Sequence, residues 1–546
     1  MNTKYLTRIE ILLIILFAVI PLFISLPYRI NIFLSWEGAY RVSQGQLPFR
    51  DFGTPIGGVY WLVPAIFFKI FGAQMISLIK AQVFLNIVSG LSFRYILKKM
   101  DFDAQARFLA LIVFIISFSF INFWPWYNHT VIVYELVALA FLLKYIYEPA
   151  KKSSLAAVAG AAFFSMLSFL TKQDAGAMAI MICSFLLVAA ALTDKSWKGL
   201  LVYIGGMGVF IAAYVFITDA SAFQYWFNHG QAPHSSRVHL IDFFEEFFGG
   251  SHWIKFYLFL MVILSLPYLQ AWRKNLADKE IIIPILLCLG IIVEALLFSV
   301  TSYVPPDNNI FFHSFAIAFI LNRLIAVVPA MRTTPAFYAV LVMVMLWWSP
   351  NYWRYMQVIV RPFTKEAPTA SSENVVDRNT YIINAPDSSI PIHEWQRSEL
   401  YTLKNITLPA PTLEGIGRLK NLDLVKGGKD LTVLNMTELT TLAKEIPFTL
   451  ERNPEYPLWF HLGVGMFNKQ AELFEGRILN NHYDLVLFEN IPSLNNFYPF
   501  RVRDTLRQHY QLVDSFPAPR KGETQGVIEV FVKKQRVNVQ DSLLRQ

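Results

Sequence analysis

Residues 34–58, LSWEGAYRVSQGQLPFRDFGTPIGG, place two acids and two arginines in one polar stretch directly after a strongly apolar run. The acids are Glu37 and Asp51, and the arginines are Arg41 and Arg50. A carboxylate can take a proton from an attacking hydroxyl group, and a guanidinium can hold a phosphate. Each pair also has a structural interpretation, because Glu37 and Arg41 have the spacing of a helix ion pair and Asp51 can pair with Arg50 in a turn.

Local signals predict the elements that position this stretch. Ser35 suits an N-cap and Gly45 a helix end, so we expect a short helix over residues 35–45 with Glu37 in its first turn. Thr54 followed by Pro55 predicts the start of a second helix. We expect that helix to lie along the outer membrane interface, because its uninterrupted apolar run is too short to span a bilayer.

A charged triplet, Lys172, Gln173 and Asp174, interrupts an apolar stretch between two predicted spans. A charge at the membrane edge is by default a candidate for a functional site, and a lysine there suits an anionic group. The alternative is a tight turn in which Lys172 reaches toward the lipid headgroups and Asp174 caps the next helix.

A long loop near residues 224–253 is rich in histidine and carries His229, His234 and Arg237. Its histidines lack the paired short spacing of a zinc motif, and the loop contains no cysteine. A surface around Arg237 that contacts a phosphate or an acceptor is therefore favoured over a metal site. We assign no metal ligands, although a divalent metal stays possible.

Other polar residues fall at or within the predicted spans. Asn128, His129 and His313 are candidates to line a cavity, with a helix cap or a satisfied buried polar group as the alternative. Glu135 and Glu294 lie inside spans, where an ionised carboxylate is costly unless it is paired or faces a polar cavity. The sequence supplies no partner for either glutamate.

The composition is that of a protein with several membrane-spanning segments. Of 546 residues, 55% are hydrophobic and only 16% are charged, so the chain has more apolar surface than a soluble domain could bury. About eleven apolar stretches suit spans, centred near residues 19, 87, 115, 138, 162, 183, 208, 261, 289, 319 and 341. The first is followed by no cleavage signature, so we expect a retained helix.

Basic residues set the expected orientation. Lys and Arg concentrate in every second connection, whereas the loops at 124–129 and 302–309 contain none. The positive-inside rule places the N-terminus in the cytoplasm, and the first loop and everything after Trp348 outside. This clustering accounts for the net charge of +8 without a nucleic-acid partner. Both cysteines, Cys183 and Cys288, lie in apolar runs, which makes a disulfide framework implausible.

The composition changes to a globular mixture from about residue 351. Short apolar runs such as YDLVLFENI and GVIEVFVKK, separated by helix-like segments, predict an α/β domain. We assign residues 1–350 to a transmembrane domain with an outer first loop at 28–75, residues 351–379 to a linker, and residues 380–546 to an extracytoplasmic accessory domain. The last contains no nucleotide-binding glycine fingerprint, P-loop or nucleophile elbow.

The order of these features resembles the GT-C superfamily of integral-membrane glycosyltransferases. A first span, a polar loop with an early acid, PFRDF, an amphipathic segment ending FKIFG and a second span follow one another as in that superfamily. WPWYNHT at 124–130, FLTKQDAGA at 169–177 and a soluble region after the last span also resemble it. The superfamily includes protein O-mannosyltransferases and lipid A aminoarabinose transferases, and the resemblance covers the topology of about the first 350 residues.

The resemblance implies a mainly α, polytopic helical bundle of about eleven spans with a C-terminal α/β domain, in a bacterial inner membrane with that domain in the periplasm. It implies transfer of a hexose or pentose from a polyprenyl-phosphate donor to a lipid, glycan or protein acceptor on the outer face. In this reaction Glu37 is the first candidate base and Asp51 the second. Many relatives carry Asp-Glu where this sequence has Trp36-Glu37, so the choice of base and any metal dependence stay open.

The remaining candidates divide between the donor and the cavity. Lys172 and Arg237 are the first candidates to hold the donor phosphate, followed by Arg41 and Arg50. The cavity or the acceptor would be contacted by Asn128, His129, Gln173, Asp174, His229, His234 and His313.

Two other functions compete with an enzyme. A non-enzymatic transporter or flippase of a glycolipid or polysaccharide would be expected to show internal repeats and interrupted helices near the membrane midplane. Here the polar residues gather at the outer membrane edge and in the outer loops, which favours surface chemistry. A scaffold whose soluble domain does the work is supported only by the missing catalytic motif in that domain.

Overall fold

In the computed structural model, the apolar runs of the sequence fold as helices. The structure describes residues 3–29, 32–121, 123–149, 154–218, 226, 239–270, 272–302, 310–350, 352–353, 390–427, 430–446, 448–458, 460, 467–493, 498–521 and 524–534. All structural statements below concern these residues. The predicted linker at 351–379 lies almost wholly outside them.

The helices of the first 350 residues include every predicted span. They are α1 Thr3–Val19, α2 Ile32–Ser43, α3 Leu62–Phe71, α4 Met75–Lys99, α5 Ala104–Ile121, α6 Tyr127–Tyr147, α7 Ser154–Phe169, α8 Gln173–Asp194, α9 Lys198–Ile217, α10 Leu240–Glu245, α11 His252–Leu269, α12 Trp272–Asn275, α13 Lys279–Ser302, α14 Ile310–Val327 and α15 Thr334–Trp347. Short 3₁₀ turns at Ile20–Phe23, Val59–Trp61 and Pro329–Arg332, and a π turn at Glu246–Gly250, join some of them.

Six helices are long and apolar enough to cross a membrane. They cover Tyr5–Phe23, Met75–Lys99, Tyr127–Tyr147, Gln173–Asp194, Lys198–Ile217 and Lys279–Thr301. Leu240–Gly250 and His252–Tyr268 make a seventh if this pair, bent by 76°, is one span. The chain is an integral membrane protein of mainly α structure. All predicted span centres fall on helices, and the count of eleven spans stays a prediction.

The basic connections between helices gather at one end of the bundle. Three ion pairs join them: Lys99–Glu148, Lys279–Asp194 at 3.4 Å and Arg332–Asp103 at 3.9 Å. This is the arrangement that the alternating pattern of Lys and Arg requires if one end faces the cytoplasm.

The N-terminal helix is tied into the bundle by charge. Glu10 of α1 is fully buried and accepts hydrogen bonds from Nε of Arg94 at 2.7 Å and from Nε of Arg107 at 2.9 Å. Removal of α1 would leave both arginines without this carboxylate. These contacts pack α1 against α4 and α5, and the retention of this helix stays a prediction.

The topology gives a direct prediction for the end of the chain. The predicted odd number of spans, together with a cytoplasmic basic end, would place residue Gln546 outside the cytoplasm. A phosphatase that is active only outside the cytoplasm, fused after Gln546, should therefore be active. The same enzyme inserted after Met100 is the control and should be inactive. The opposite pattern would contradict the predicted orientation.

Residues 390–534, called the C-terminal region below, combine helices with two small sheets. Their elements are β2 Gln396–Arg397, β3 Ile406–Leu408, α16 Ala410–Asn421, α17 Asp423–Gly427, β4 Val433–Met436, α18 Leu442–Glu445, α19 Phe467–Leu479, β5 Leu485–Asn490, α20 Phe500–His509, β6 Tyr510–Pro517 and β7 Val527–Lys533. The larger sheet has the order β4-β5-β7-β6, with β4 parallel to β5 and the other neighbours antiparallel. The predicted α/β character is present in these residues.

The C-terminal region packs on the first loop of the membrane bundle. Residues Leu26–Pro27 form β1, which pairs in parallel with β3, and Gly53 forms a bridge with Pro457. Hydrophobic side chains of both parts share one core cluster. We call the end of the bundle that carries the first loop and the C-terminal region the capped end.

A buried charged group strengthens this junction beside β4 and β5. Arg520 donates from Nη2 to Glu438 at 2.7 Å and from Nε to Glu489, and Glu489 also accepts from the backbone N–H of Glu438 at 2.8 Å. The hydroxyl of Tyr28, from the first loop, donates to the carbonyl of Glu438. The two parts of the chain are therefore joined by polar as well as apolar contacts.

Two local expectations about the first loop are wrong. Helix α2 begins at Ile32 and Ser35 is no cap, because its hydroxyl donates to the carbonyl of Pro125 at 2.5 Å. Glu37 therefore lies beyond the first turn. Gly45 does follow the helix end, with φ of +82°. The second helix begins only at Leu62 after a 3₁₀ turn, because residues 54–58 are held in a loop against the turn that follows α7.

Candidate functional site

Glu37 and Arg41 lie one turn apart on α2 and form a buried ion pair. Nε and Nη2 of Arg41 both lie 2.8 Å from the same oxygen, Oε1 of Glu37. Its Nη1 donates to Oε1 of Gln46 at 2.9 Å and to the carbonyl of Glu451 at 2.8 Å. Arg41 is 1% exposed, and its donors hold the first loop against the C-terminal region. The sequence offers a helix ion pair as the structural alternative for Glu37 and Arg41, and the structure contains this pair.

The C-terminal region covers the carboxylate of Glu37. Two small cavities separate α2 from this region, and Glu37 lines both of them together with Asn435, Thr440 and Tyr456. Each has room for about one water molecule. The ring of Tyr456 lies 4.7 Å from the guanidinium carbon of Arg41. Glu37 therefore faces a narrow, partly polar space between the two parts of the chain.

The surroundings of Glu37 make it a stronger base. Burial raises the pKa of Glu37 above its ordinary value, because the loss of hydration outweighs the attraction and hydrogen bond of Arg41. A higher pKa brings a carboxylate closer to the operating range of a general base at neutral pH. Nε and Nη2 of Arg41 both contact Oε1 of Glu37, so Oε2 is the oxygen that we assign to a proton donor.

Asp51 has the geometry of a turn residue. Its Oδ2 accepts hydrogen bonds from the backbone N–H of Leu47 and from Nη2 of Arg50, both at 2.7 Å. Burial alone would raise the pKa of Asp51, but the hydrogen bonds from Arg50 and Leu47 outweigh it and hold this pKa below its ordinary value. Asp51 is therefore a weaker base than Glu37.

Lys172 and Asp174 form an ion pair at the start of α8. Nζ of Lys172 lies 2.7 Å from Oδ2 of Asp174 and 4.4 Å from the ring centre of Phe298 on α13. The hydroxyl of Thr301 also donates to Asp174, and Gln173 donates to the carbonyl of Trp226 at 2.7 Å. A cation beside a helix N-terminus suits an anionic ligand, since the free N–H groups add to its field.

The first loop rests on the turn that leads into this ion pair. The N–H of Val59 donates to the carbonyl of Leu170 at 3.3 Å. A Cβ added to Gly57 would lie 1.9 Å from that carbonyl oxygen, so only glycine allows this approach. The structure thus brings the first loop and the charged triplet together through the backbone. Their charged side chains have different neighbours: Glu37 faces the C-terminal region, and Lys172 faces α13.

The remaining described candidates lie at the capped end. Asn128 and His129 occupy the first turn of α6. Asn128 is buried, and no described residue donates to its Oδ1. Nδ1 of His313 is 2.8 Å from the hydroxyl of Tyr257, and its ring lies 4.1 Å from that of Trp253. His313 is therefore a buried polar group with a hydrogen-bond partner, which is the structural alternative to a cavity-lining role that the sequence offers.

Three candidates, Arg237, His229 and His234, lie outside the described residues. In the described part of the chain, no group of three or more His, Cys, Asp or Glu side chains is arranged to hold a metal ion. The role of the histidine-rich loop stays a prediction.

The comparisons identify the fold. No protein-family model matches the sequence, and no curated protein matches it. Two solved structures of ArnT from Cupriavidus metallidurans match the fold, each with a TM-score of 0.51. The structure bound to undecaprenyl phosphate is 11% identical and matches over 97% of this chain and 98% of its own. The apo structure is 12% identical and matches over 96% and 97%.

A match along nearly the whole of both chains includes the C-terminal region as well as the helices. ArnT is an aminoarabinose transferase of the GT-C superfamily. The resemblance to this superfamily, inferred from the order of the first loop and spans, is confirmed for the fold. The chain has the fold of these two ArnT structures along nearly its whole length.

Proposed function

We propose that this chain is a glycosyltransferase that moves a sugar from a polyprenyl-phosphate donor to an acceptor on the outer face of the membrane. The observation that carries the proposal is the fold match to ArnT over 97% of the chain, in a structure that contains undecaprenyl phosphate. The capped end supplies, in addition, a cation at a helix start and a carboxylate of raised basicity. We place the protein in a bacterial inner membrane, with its C-terminal region in the periplasm.

The donor phosphate is assigned to Lys172 and the start of α8. The leaving lipid phosphate already carries charge, so it requires cationic and N–H donors and no strong general acid. Lys172 lies at the N-cap of α8 and supplies the cation, and the N–H groups of the first turn of α8 are the N–H donors that we assign. Arg237 is the second assignment. Arg41 is less suitable because it is engaged with Glu37, Gln46 and Glu451. Arg50 has one acid partner, as Lys172 has, but it lies in a turn and not at the start of a helix.

Glu37 is assigned as the general base. Attack of an acceptor hydroxyl on the anomeric carbon forms the new C–O bond, breaks the bond to the phosphate oxygen and releases the hydroxyl proton to a base. Burial raises the basicity of Glu37, whereas hydrogen bonds lower that of Asp51. The neighbouring Trp36 is fully buried against Tyr40 and Phe68 and supplies no second carboxylate.

The C-terminal region then acts as a lid. It narrows the space around Glu37 to about the size of one water molecule, which is too small for a sugar acceptor, so the acceptor would reach the carboxylate only when this region shifts away from α2. Such a shift would break the hydrogen bond from Arg41 to the carbonyl of Glu451. It would also expose Oε2 of Glu37 to the acceptor.

Deletion of the gene that encodes this chain distinguishes a transferase from a transporter of the donor lipid. Cells without the transferase should accumulate the polyprenyl-phosphate sugar in the outer leaflet, because the donor arrives there but is not consumed. The measurement is the access of a membrane-impermeant sugar oxidant to the accumulated lipid in intact spheroplasts. Accumulation in the inner leaflet alone would identify a flippase, and no accumulation would contradict the use of this donor.

A further inference from the structure

A large cavity lies at the end of the helical bundle where the basic connections gather, which we call the basic end. Its volume is about 480 Å³, within the range of roughly 300–1,000 Å³ of pockets that hold small molecules. Helix α7 packs there on α6, α8 and α9, and each of these four helices supplies residues that line the cavity. Lys172 lies at the opposite end of α8, which has 22 residues and is about 33 Å long. The cavity is therefore separate from the candidate functional site.

The lining of this cavity changes from polar to apolar with depth. Asp194, Ser196 and Lys198 line it where α8 connects to α9. Ala190 and Leu187 also line it, and they lie up to seven residues further into the bundle along α8, which is about 10 Å. One leaflet of a membrane has roughly 15 Å of hydrocarbon below its headgroups. The cavity thus has the polarity gradient of a leaflet over about two thirds of its depth.

The polar end of the cavity offers an uncompensated positive charge and a hydroxyl group. Both carboxyl oxygens of Asp194 lie 3.4 Å from Nζ of Lys279, so this acid is already paired. Lys198 is exposed and forms no ion pair within the described part of the chain. The phenol of Tyr145 lies against the first turn of α9, since a Cβ added to Gly199 would be 2.6 Å from its oxygen. A cation and a hydroxyl donor together suit a phosphate.

The cavity also borders the membrane, because Leu155 at its rim is 45% exposed on a helix of the bundle. Its apolar walls offer no hydrogen-bond partners to water, whereas the adjoining leaflet supplies acyl chains. We propose that this cavity binds one phospholipid with an anionic headgroup. The phosphate lies at Lys198 and Tyr145, and one acyl chain lies along Leu187 and Ala190. A zwitterionic phospholipid is disfavoured, because its own ammonium group would be repelled by Lys198. This site does not depend on the proposed transferase activity.

The first test locates the lipid. The full-length chain is placed in nanodiscs that contain phosphatidylglycerol with a diazirine in its acyl chain, and peptide mass spectrometry locates the adducts after irradiation. Leu187 and Ala190 should be labelled, although they are only 2% and 4% exposed, because a chain inside the cavity contacts them. Phe185 is the control on the same helix, since it is 65% exposed and reports lipid outside the bundle. Labelling of Phe185 without Leu187 or Ala190 would overturn the proposal.

The second test measures recognition of the headgroup. Native mass spectrometry of the purified chain gives the dissociation constant of the first bound lipid, with phosphatidylglycerol and phosphatidylethanolamine titrated separately. Phosphatidylglycerol should bind about fivefold more tightly, the usual contribution of one lysine near an anionic lipid. Lys198→Gln should remove this preference.

Lys195→Asn is the matched control for Lys198→Gln. Lys195 is also exposed and lies in the same connection, but it does not line the cavity. Its φ of +51° is tolerated by asparagine, so the replacement removes the charge without straining the backbone. This variant should keep the preference for phosphatidylglycerol. Equal affinity of the wild type for the two lipids, or equal losses in both variants, would contradict the site.

Discussion

Glu37→Gln is expected to lower sugar transfer by about 10²–10⁴-fold, the usual contribution of a positioned general base. Glutamine keeps the shape of the side chain and can still accept a hydrogen bond from Arg41, but it cannot take the proton of the acceptor. Binding of the donor should persist, because the carboxylate is not assigned to the phosphate. The measurements are the transfer rate and the affinity for the polyprenyl-phosphate sugar in the same preparation.

Asp51→Asn is the matched comparison for this prediction. Asp51 is an acid of the same loop whose pKa is held low by Arg50 and Leu47, so its replacement should lower transfer much less. A large loss at Asp51 with a mild loss at Glu37 would reverse the two assignments. Mild effects at both, in a protein that still transfers sugar, would show that the base comes from elsewhere. Glu37 would then act as the partner of Arg41 only.

Lys172→Ala is expected to weaken binding of the donor by about 10- to 150-fold. Loss of a charged contact to a phosphate costs roughly 1.5–3 kcal/mol, which corresponds to that range. Folding should be preserved, because Asp174 keeps its hydrogen bonds from Thr301 and from the backbone N–H of Ala175. The measurement is the affinity of the purified chain for undecaprenyl phosphate, with thermal stability measured alongside.

Lys80→Ala is the control variant. Lys80 is also near the capped end of a helix, α4, and its Nζ lies 4.1 Å from the ring centre of Phe71, much as Lys172 packs on Phe298. It has no part in the proposed site, so its loss should leave donor binding unchanged. Equal losses in both variants would indicate a general effect of surface charge. Unchanged binding in Lys172→Ala would move the phosphate to Arg237.

The features that the sequence predicts well are those that depend on local pattern. Apolar runs and the alternation of basic residues lead directly to helices whose basic connections meet at one end, as the pair of Lys99 and Glu148 shows. The spacing of Glu37 and Arg41 predicts their ion pair, because residues four apart share one face of a helix. The short strands β5 and β7 coincide with the apolar runs YDLVLFENI and GVIEVFVKK.

Contacts between distant parts of the chain could not be predicted in this way. Tyr456 and Asn435 surround Glu37 from about 400 positions further along, and nothing in their local sequence marks them. The predicted start of α2 at Ser35 is wrong. The hydroxyl of Ser35 donates to the carbonyl of Pro125, and this tertiary contact overrides the preference of serine for the N-cap position. The sequence marks Glu135 and Glu294 as costly inside the predicted spans, but only the fold shows how completely they are buried.

The central claim is that the sugar–phosphate bond of a lipid donor is broken at the capped end and that the sugar alone moves. A donor labelled with ³²P in the phosphate and ³H in the sugar tests it in membranes that contain the wild-type chain or the Glu37→Gln variant. We expect ³H to pass to the acceptor while ³²P stays in the lipid, and this separation should nearly vanish in the variant. Movement of both labels together, or no difference between the wild type and membranes without the chain, would contradict the claim.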